Sequence, residues 1–242
     1  MYHPKGPTIL ELMRQALAST ERGYDLIAPK FDHTPFRTPE PVLDAMMRAL
    51  GDDGQKPPRA GLDVCCGTGA ALRRLHAVCT DRVVGLDFSQ GMLDEARRHL
   101  TDAAAPERPP FELVRGDALE LPFDCEFDVV TSVGAFGHVV PADEDRFVAG
   151  IARALRPGGR FVFATGEMPP LSSAQWWILR TFNAVMRVRN AVLQPPFIMY
   201  YLTFLWPGVR ARLEKHGLRV EGRRGLCPAP FDRAIIVIAT KG

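Results

Sequence analysis

The residues of this chain best equipped for chemistry begin with Leu62-Asp63-Val64-Cys65-Cys66-Gly67-Thr68-Gly69. Asp63 stands just before two glycines separated by one residue, a turn at which backbone can approach a bound group closely. Two such glycines alone say little, because many sheets turn tightly after a strand. A dinucleotide site asks for a third glycine at position 71 or 72, where this chain has Ala71 and Leu72. An acid in front of the turn is also poor company for a pyrophosphate, and it suits a cationic amino-acid tail better. A second carboxylate, Asp87, follows eighteen positions beyond Gly69 and could accept hydrogen bonds from both hydroxyls of a ribose. Phe88 and Met92 come after it with apolar surface for a purine, and Asp117 in Arg115-Gly116-Asp117-Ala118 could accept from an exocyclic amine. Further on, Ser132-Val133-Gly134-Ala135-Phe136-Gly137-His138 sets an imidazole six residues after a serine. Its ordinary pKa near ~6.5 suits proton removal from a hydroxyl or an acidic carbon. The alternative is that His138 only fixes its loop. His33 is a weaker candidate, and His76, His99 and His216 read as solvated helix residues.

These residues need elements to hold them. Short apolar runs predict strands at 61–65, 82–87, 111–115, 127–132 and 160–165, alternating with helices at 70–78, 91–100 and 143–155. Ser89 is placed to cap the second of those helices. Such alternation predicts an α/β fold of the Rossmann-like, doubly wound kind, with a mostly parallel sheet covered on both faces. A helix at 209–216 then precedes two strands, 218–222 and 234–240, joined only by a loop, so the last strand should be reversed. Ahead of the first strand, apolar spacing predicts a helix over 9–21 stopped by Gly23, and a second over 41–50. The resulting division is a helical cap over 1–55 and the main domain over 56–242, with a hydrophobic insertion at 167–207.

Composition narrows the function. The 242 residues are 46% hydrophobic and 24% charged, as expected of an ordinary globular protein. Thirty basic against 28 acidic side chains leave a formal charge of +2, too balanced for a chain that lives on nucleic acid. Five scattered cysteines form no disulfide framework and show no metal-ligand spacing, so neither a metal nor an oxidising compartment is expected. The first residues have no signal-peptide character, and the expected location is cytoplasmic. Residues 190–209 carry no charge, but Pro195-Pro196 and Pro207-Gly208 interrupt them, so no transmembrane segment is expected.

Asp63, Gly67, Gly69, Asp87 and Asp117, in this order, resemble the motifs of class I S-adenosylmethionine-dependent methyltransferases. Leu121-Pro122-Phe123 before Phe127-Asp128-Val129-Val130, and Leu155-Arg156-Pro157-Gly158-Gly159-Arg160, resemble the same family, which covers roughly residues 59–166. The resemblance implies S-adenosylmethionine as cofactor and S-adenosylhomocysteine as its product. It implies that Asp63, Gly67 and Gly69 surround the methionine moiety, that Cys65 and Thr68 of the same turn also bind the cofactor, and that Asp87 takes the ribose. Phe88, Met92, Asp117 and Ala118 would then surround adenine, with Ser132 and Val133 beside the sulfonium. Cys65-Cys66 departs from the commoner Gly-Cys at this turn. Tyr24-Asp25 and Phe31-Asp32 are similar to aromatic–Asp pairs of helical lids in the family, which implies that Tyr24 and Arg37 close over the cofactor. Plain capping of the sheet is the alternative for that segment.

The acceptor is expected to be a small molecule. Thr131-Ser132-Val133-Gly134 stands where enzymes that methylate amide or base nitrogens carry Asn/Asp-Pro-Pro-aromatic, which argues against nucleic-acid bases and protein glutamine. On a helix over 175–194, Arg180, Asn183, Arg187, Asn190 and Gln194 form one narrow polar stripe, and apolar residues cover most of the rest. That apolar surface must meet the chain's own cap, a twin subunit in a homodimer, an apolar substrate, or a membrane surface. Packing within the chain is the ordinary outcome. With the apolar run 197–206 following, an apolar or aromatic acceptor (lipid, quinone or polyketide) is favoured over a sugar. A protein of the same fold that binds S-adenosylmethionine without methylating, or that uses it for cyclisation or rearrangement, is the alternative.

Overall fold

Apolar runs bounded by turn residues become the strands β1 (Ala60–Val64), β2 (Arg82–Asp87), β3 (Phe111–Arg115), β4 (Phe127–Thr131), β5 (Leu155–Thr165), β6 (Leu218–Arg223) and β7 (Ile235–Lys241). The computed structural model describes residues 4–51, 56–102 and 108–242. The seven strands form one sheet in the order β3-β2-β1-β4-β5-β7-β6. The first five are parallel to their neighbours, whereas β7 runs antiparallel to both β5 and β6. The doubly wound sheet with a reversed last strand is therefore as expected. β5 begins five residues earlier than the apolar run alone suggests, because Leu155 already pairs with Phe127 before the Gly158-Gly159 irregularity.

Alternate side chains of each strand serve opposite faces. Val83 of β2 belongs to the buried cluster that also holds Val42, Met46, Leu72 and Leu93, from α3 (Glu40–Gly51), α4 (Ala70–Val78) and α5 (Gln90–Asp102). Val84, one residue on, belongs to the cluster on the other face, with Phe147, Ile151 and Leu213, from α6 (Glu144–Ala154) and α8 (Gly208–Lys215). Strand order reverses at β1, which has β2 on one side and β4 on the other, and a crevice at such a point is where open α/β sheets bind ligands.

The N-terminal segment differs from expectation. Gly23 does not end a helix; the break comes at Ala18-Ser19, between α1 (Ile9–Leu17) and α2 (Thr20–Ile27). Thr8 and Glu11 form a capping box on α1, and the Ser19 hydroxyl accepts from Arg22 N to start α2. Gly23 sits inside α2 because a Cβ there would come within 2.9 Å of Phe197 Cε2. The insertion holds α7 (Ala174–Val192), and its base is closed where Trp206 N donates to the Gly166 carbonyl. His76 also departs from expectation: it is buried and hydrogen-bonded through Nε2 to the Pro109 carbonyl at 2.8 Å. His99 docks half-buried on the Thr68 carbonyl rather than pointing to solvent.

Candidate functional site

The turn after β1 is built from residues in the left-handed region: Cys65, Gly67 and Gly69 have φ of 57, 52 and 82°. Glycine adopts this region freely, whereas Cys65 holds it at a cost that its burial and neighbours must offset. Gly69 then caps α4, and a Cβ on it would press on Ala96 of α5 at 3.3 Å. The turn is tied to β2 by Asp87, whose Oδ2 accepts from Gly67 N and whose Oδ1 accepts from Ser89 N, both at 2.9 Å. Asp87 is thus a buried brace of two loops as well as an acid at a strand end. Burial lifts its carboxyl to about 6, against the lowering effect of those backbone donors.

Asp25 of α2 reaches across to cap α5, accepting from the Ser89 hydroxyl at 2.6 Å and Gly91 N at 2.9 Å. Asp32 accepts from the Thr68 hydroxyl at 2.5 Å and lies 3.6 Å from Arg37 Nε, and Arg37 also pairs with Glu40. The cap is therefore fastened to both loops by the acids of the two aromatic–Asp pairs. The sequence pointed only to Tyr24 and Arg37 in this segment.

Between these loops, the turn after β4 and the coil following α7 lies a cavity of about 480 Å³, within the usual size of a small-ligand site. Of the expected residues it brings together Tyr24, Cys65, Gly67, Thr68, Asp87, Phe88, Met92, Val133 and His138. Arg37, Asp63, Gly69, Asp117, Ala118 and Ser132 are not on its wall. Asp63 is fully buried behind the turn, accepting from the Thr131 hydroxyl at 2.8 Å. Burial, with the Asp87 charge adding to it, lifts its carboxyl to about 7. Ser132 is buried and its hydroxyl has no hydrogen-bond partner among the described residues. Asp117 is exposed and accepts from Leu119 N. The coil residues Met199 to Thr203, with Leu205, form an apolar wall that no local sequence signal assigned to the site.

His138 stands between the glycine turn and that wall. Its Nδ1 meets the Ile198 carbonyl, an obligate acceptor, so Nδ1 carries the proton and Nε2 is a free acceptor. The Tyr24 hydroxyl donates to Nε2 at 2.7 Å. Burial keeps the imidazole below its ordinary pKa, hence uncharged at neutral pH. The thiols of Cys65 and Cys66 are held far above their usual value by burial and by Asp87, so they are neutral and poor nucleophiles.

The donor set fits S-adenosylmethionine. Asp87 faces the cavity with lone pairs to spare for ribose hydroxyls, and Phe88 and Met92 flank it with purine-sized apolar surface. Neither lysine nor arginine lines the cavity among the described residues, so a pyrophosphate would lack a counter-charge, while the one charged side chain on the wall, Asp87, is an acid that suits a cationic ligand.

Known proteins agree with this geometry. Residues 62–159 match the methyltransferase-domain family. A demethylmenaquinone methyltransferase of Beutenbergia cavernae is 36% identical over 186 residues, 72% of this chain and 71% of the relative. A 2-phytyl-1,4-beta-naphthoquinone methyltransferase of Arabidopsis thaliana is 38% identical over 115 residues, 46% of this chain and 43% of the relative. Among solved structures, an O-methyltransferase family protein from Burkholderia thailandensis superposes with a TM-score of 0.68 at 18% identity, covering 97% of this chain and 67% of that one. The S-adenosylmethionine-bound magnesium protoporphyrin IX methyltransferase of Synechocystis gives 0.59 at 17% identity, covering 98% and 93%. On these grounds the chain belongs to the class I S-adenosylmethionine-dependent methyltransferases, and S-adenosylmethionine is its cofactor.

Proposed function

We propose that this enzyme methylates the ring of a quinol that carries an apolar tail. The observation that carries the reading is that His138, with an unprotonated Nε2 that accepts from Tyr24, lines the same cavity as the cofactor-binding turn and the apolar wall at 199–205. The names of the curated relatives, which act on demethylmenaquinone and phytyl-naphthoquinone, support the same acceptor class.

S-adenosylmethionine supplies one electrophilic methyl group when bound. Everything else is alignment, water exclusion and one proton. Asp87 orients the ribose, Gly67 gives the backbone its close approach, and Phe88 and Met92 hold the purine. Asp63 fixes the base of the turn by accepting from the Thr131 hydroxyl. The acceptor gains a methyl group and gives up one proton, which ends on Nε2 of His138. The Ile198 carbonyl stabilises the imidazolium so formed through Nδ1–H, as an orienting acceptor does for any histidine base. Tyr24 covers Nε2 until an acceptor hydroxyl takes its place. Asp117 and Ala118, outside the cavity wall, have at most a contact with the rim of the purine.

Incubation with S-adenosylmethionine and a prenylated naphthoquinol kept reduced, with mass spectrometry of the organic extract, tests the reading. A product heavier by one methyl, with matching S-adenosylhomocysteine, is expected. Retained cofactor binding with turnover only on tail-less phenols or amines would overturn the acceptor class.

A further inference from the structure

The helix α7 is inside out. Its asparagines face the protein: Asn183 exchanges two hydrogen bonds with the backbone of Tyr201, at 2.6 and 2.7 Å. Asn190 does the same with Phe197, at 3.1 and 3.0 Å. One stripe of its apolar residues faces outward, while Trp176, Leu179, Phe182 and Met186 are half-buried. Trp177, Ile178, Val185, Val188 and Val192 are 59–75% exposed, and at 100° per residue they fall within one third of the helix circumference. The helix has no buried residue. The expectation that this surface packs within the chain is thus reversed.

The same pattern recurs on α1, where Ile9, Leu10, Met13 and Leu17 are 56–66% exposed on one stripe. Arg189 joins the ends of the two helices, donating to the Ala16 and Ala18 carbonyls. Charge identifies what covers this face. From 168 to 213 the sequence has five arginines and no acid, and the exposed Arg180 and Arg187 flank the apolar stripe of α7. The one acid of α1, Glu11, is held by Lys30 at 2.7 Å. No described helix is long and apolar enough to cross a membrane.

We infer that α1 and α7 form a docking face for the surface of an anionic lipid bilayer. Apolar side chains enter the acyl boundary and arginines meet the phosphates, the arrangement of interfacial amphipathic helices. α7 is hydrogen-bonded to the 197–201 coil, whose Met199, Tyr200 and Tyr201 line the cavity, so the face lies directly over the acceptor wall. The docking face stands on exposure and charge and does not require the quinol reading.

Flotation of the full chain with phosphatidylcholine vesicles, with and without phosphatidylglycerol, tests it in the absence of any acceptor. Binding to the anionic vesicles at least tenfold above the neutral ones, weakened by salt, is expected. Each of Arg180→Gln and Arg187→Gln should weaken it about fivefold. V185E/V188E should lose it tenfold or more while keeping its melting temperature and its affinity for S-adenosylhomocysteine, since both side chains are exposed. Unchanged vesicle binding in V185E/V188E would overturn the inference. So would an absence of vesicle binding, whether or not light scattering shows a dimer that the same variant dissociates.

Discussion

The hydroxyl of Tyr24 and Nε2 of His138 lie 2.7 Å apart across 114 residues of sequence, with the rings edge to face at 5.1 Å. One comes from the cap and the other from the turn after β4, so this contact closes the cavity from two independent elements. Burial raises the Tyr24 phenol well above its usual value and lowers the histidine, so the pair is neutral, with the proton on the phenol. His138→Ala should cut turnover on the order of a hundredfold, with S-adenosylhomocysteine affinity unchanged. The wild-type rate should fall on the acid side as the imidazole protonates, below its ordinary range near ~6.5. That limb should vanish in the variant. A tenfold loss or less with the limb intact would return His138 to a role in holding its loop. Tyr24→Phe keeps the stack on Phe197, 6.4 Å between centroids, and should change kcat far more than stability.

Asp87 offers a second pH signature. Its carboxyl titrates near 6 in the free protein, and only the ionised form accepts from two hydroxyls without donating. Affinity for S-adenosylhomocysteine should therefore be flat above about pH 6 and fall by up to about tenfold per unit below it. Calorimetric titration between pH 5 and 8 checks this. Asp87→Asn should bind on the order of ten- to a hundredfold more weakly and lose the pH dependence. Alanine is the poorer test, because removing the carboxylate also releases Gly67 N and Ser89 N.

The central sheet was legible because its signals are local. A glycine turn after β1, an acid ending β2 and a serine capping α5 are each written within a few residues. Where the sequence misled, partners are distant. Nothing near Gly23 announces Phe197, and nothing near His76 announces the Pro109 carbonyl. The spacing of Asn183 and Asn190 correctly marked a polar stripe, but amphipathicity does not say which face turns inward. Here the asparagines turn inward because coil backbone at 197–201 needs hydrogen-bond partners, which asparagine supplies and valine does not. For the same reason the site was only half readable: the loops after β1, β2 and β4 carry signatures, whereas the wall at 199–205 is a coil brought in by the insertion.

Asp63 makes a stability prediction. Its carboxyl titrates near 7 when folded and near ~3.9 when unfolded, so the folded state holds the proton more tightly. This group's effect on stability therefore worsens as pH rises from about 4 to about 7, and the full penalty remains above that. Asp63→Asn preserves an acceptor for the Thr131 hydroxyl and removes the penalty. Urea unfolding should show the variant more stable at pH 8, by on the order of 4 kcal/mol at most, with the gain shrinking towards pH 4. A gain independent of pH, or a loss at pH 8, would mean that burial does not raise the Asp63 carboxyl in the folded protein.

The attachment of α7 separates the two ligands kinetically. Asn183 holds the backbone of Tyr201, and Tyr201 lines the cavity without being tied to the loops that Asp87 braces. Asn183→Ala removes both bonds at an exposed position, where water can replace them, so the stability cost should be about 1 kcal/mol or less. The wall at 199–205 loses a fixed anchor, while Asp87, Gly67 and Ser89 keep theirs. The KM for the apolar acceptor should rise severalfold, and affinity for S-adenosylhomocysteine should stay within about twofold, a split that general unfolding does not produce. Asn183→Asp should restore only the bond in which Asn183 accepts from Tyr201 N, and should recover part of the KM. Equal weakening of both ligands would show instead that the insertion supports the whole cavity and that the acceptor wall is not a separate element.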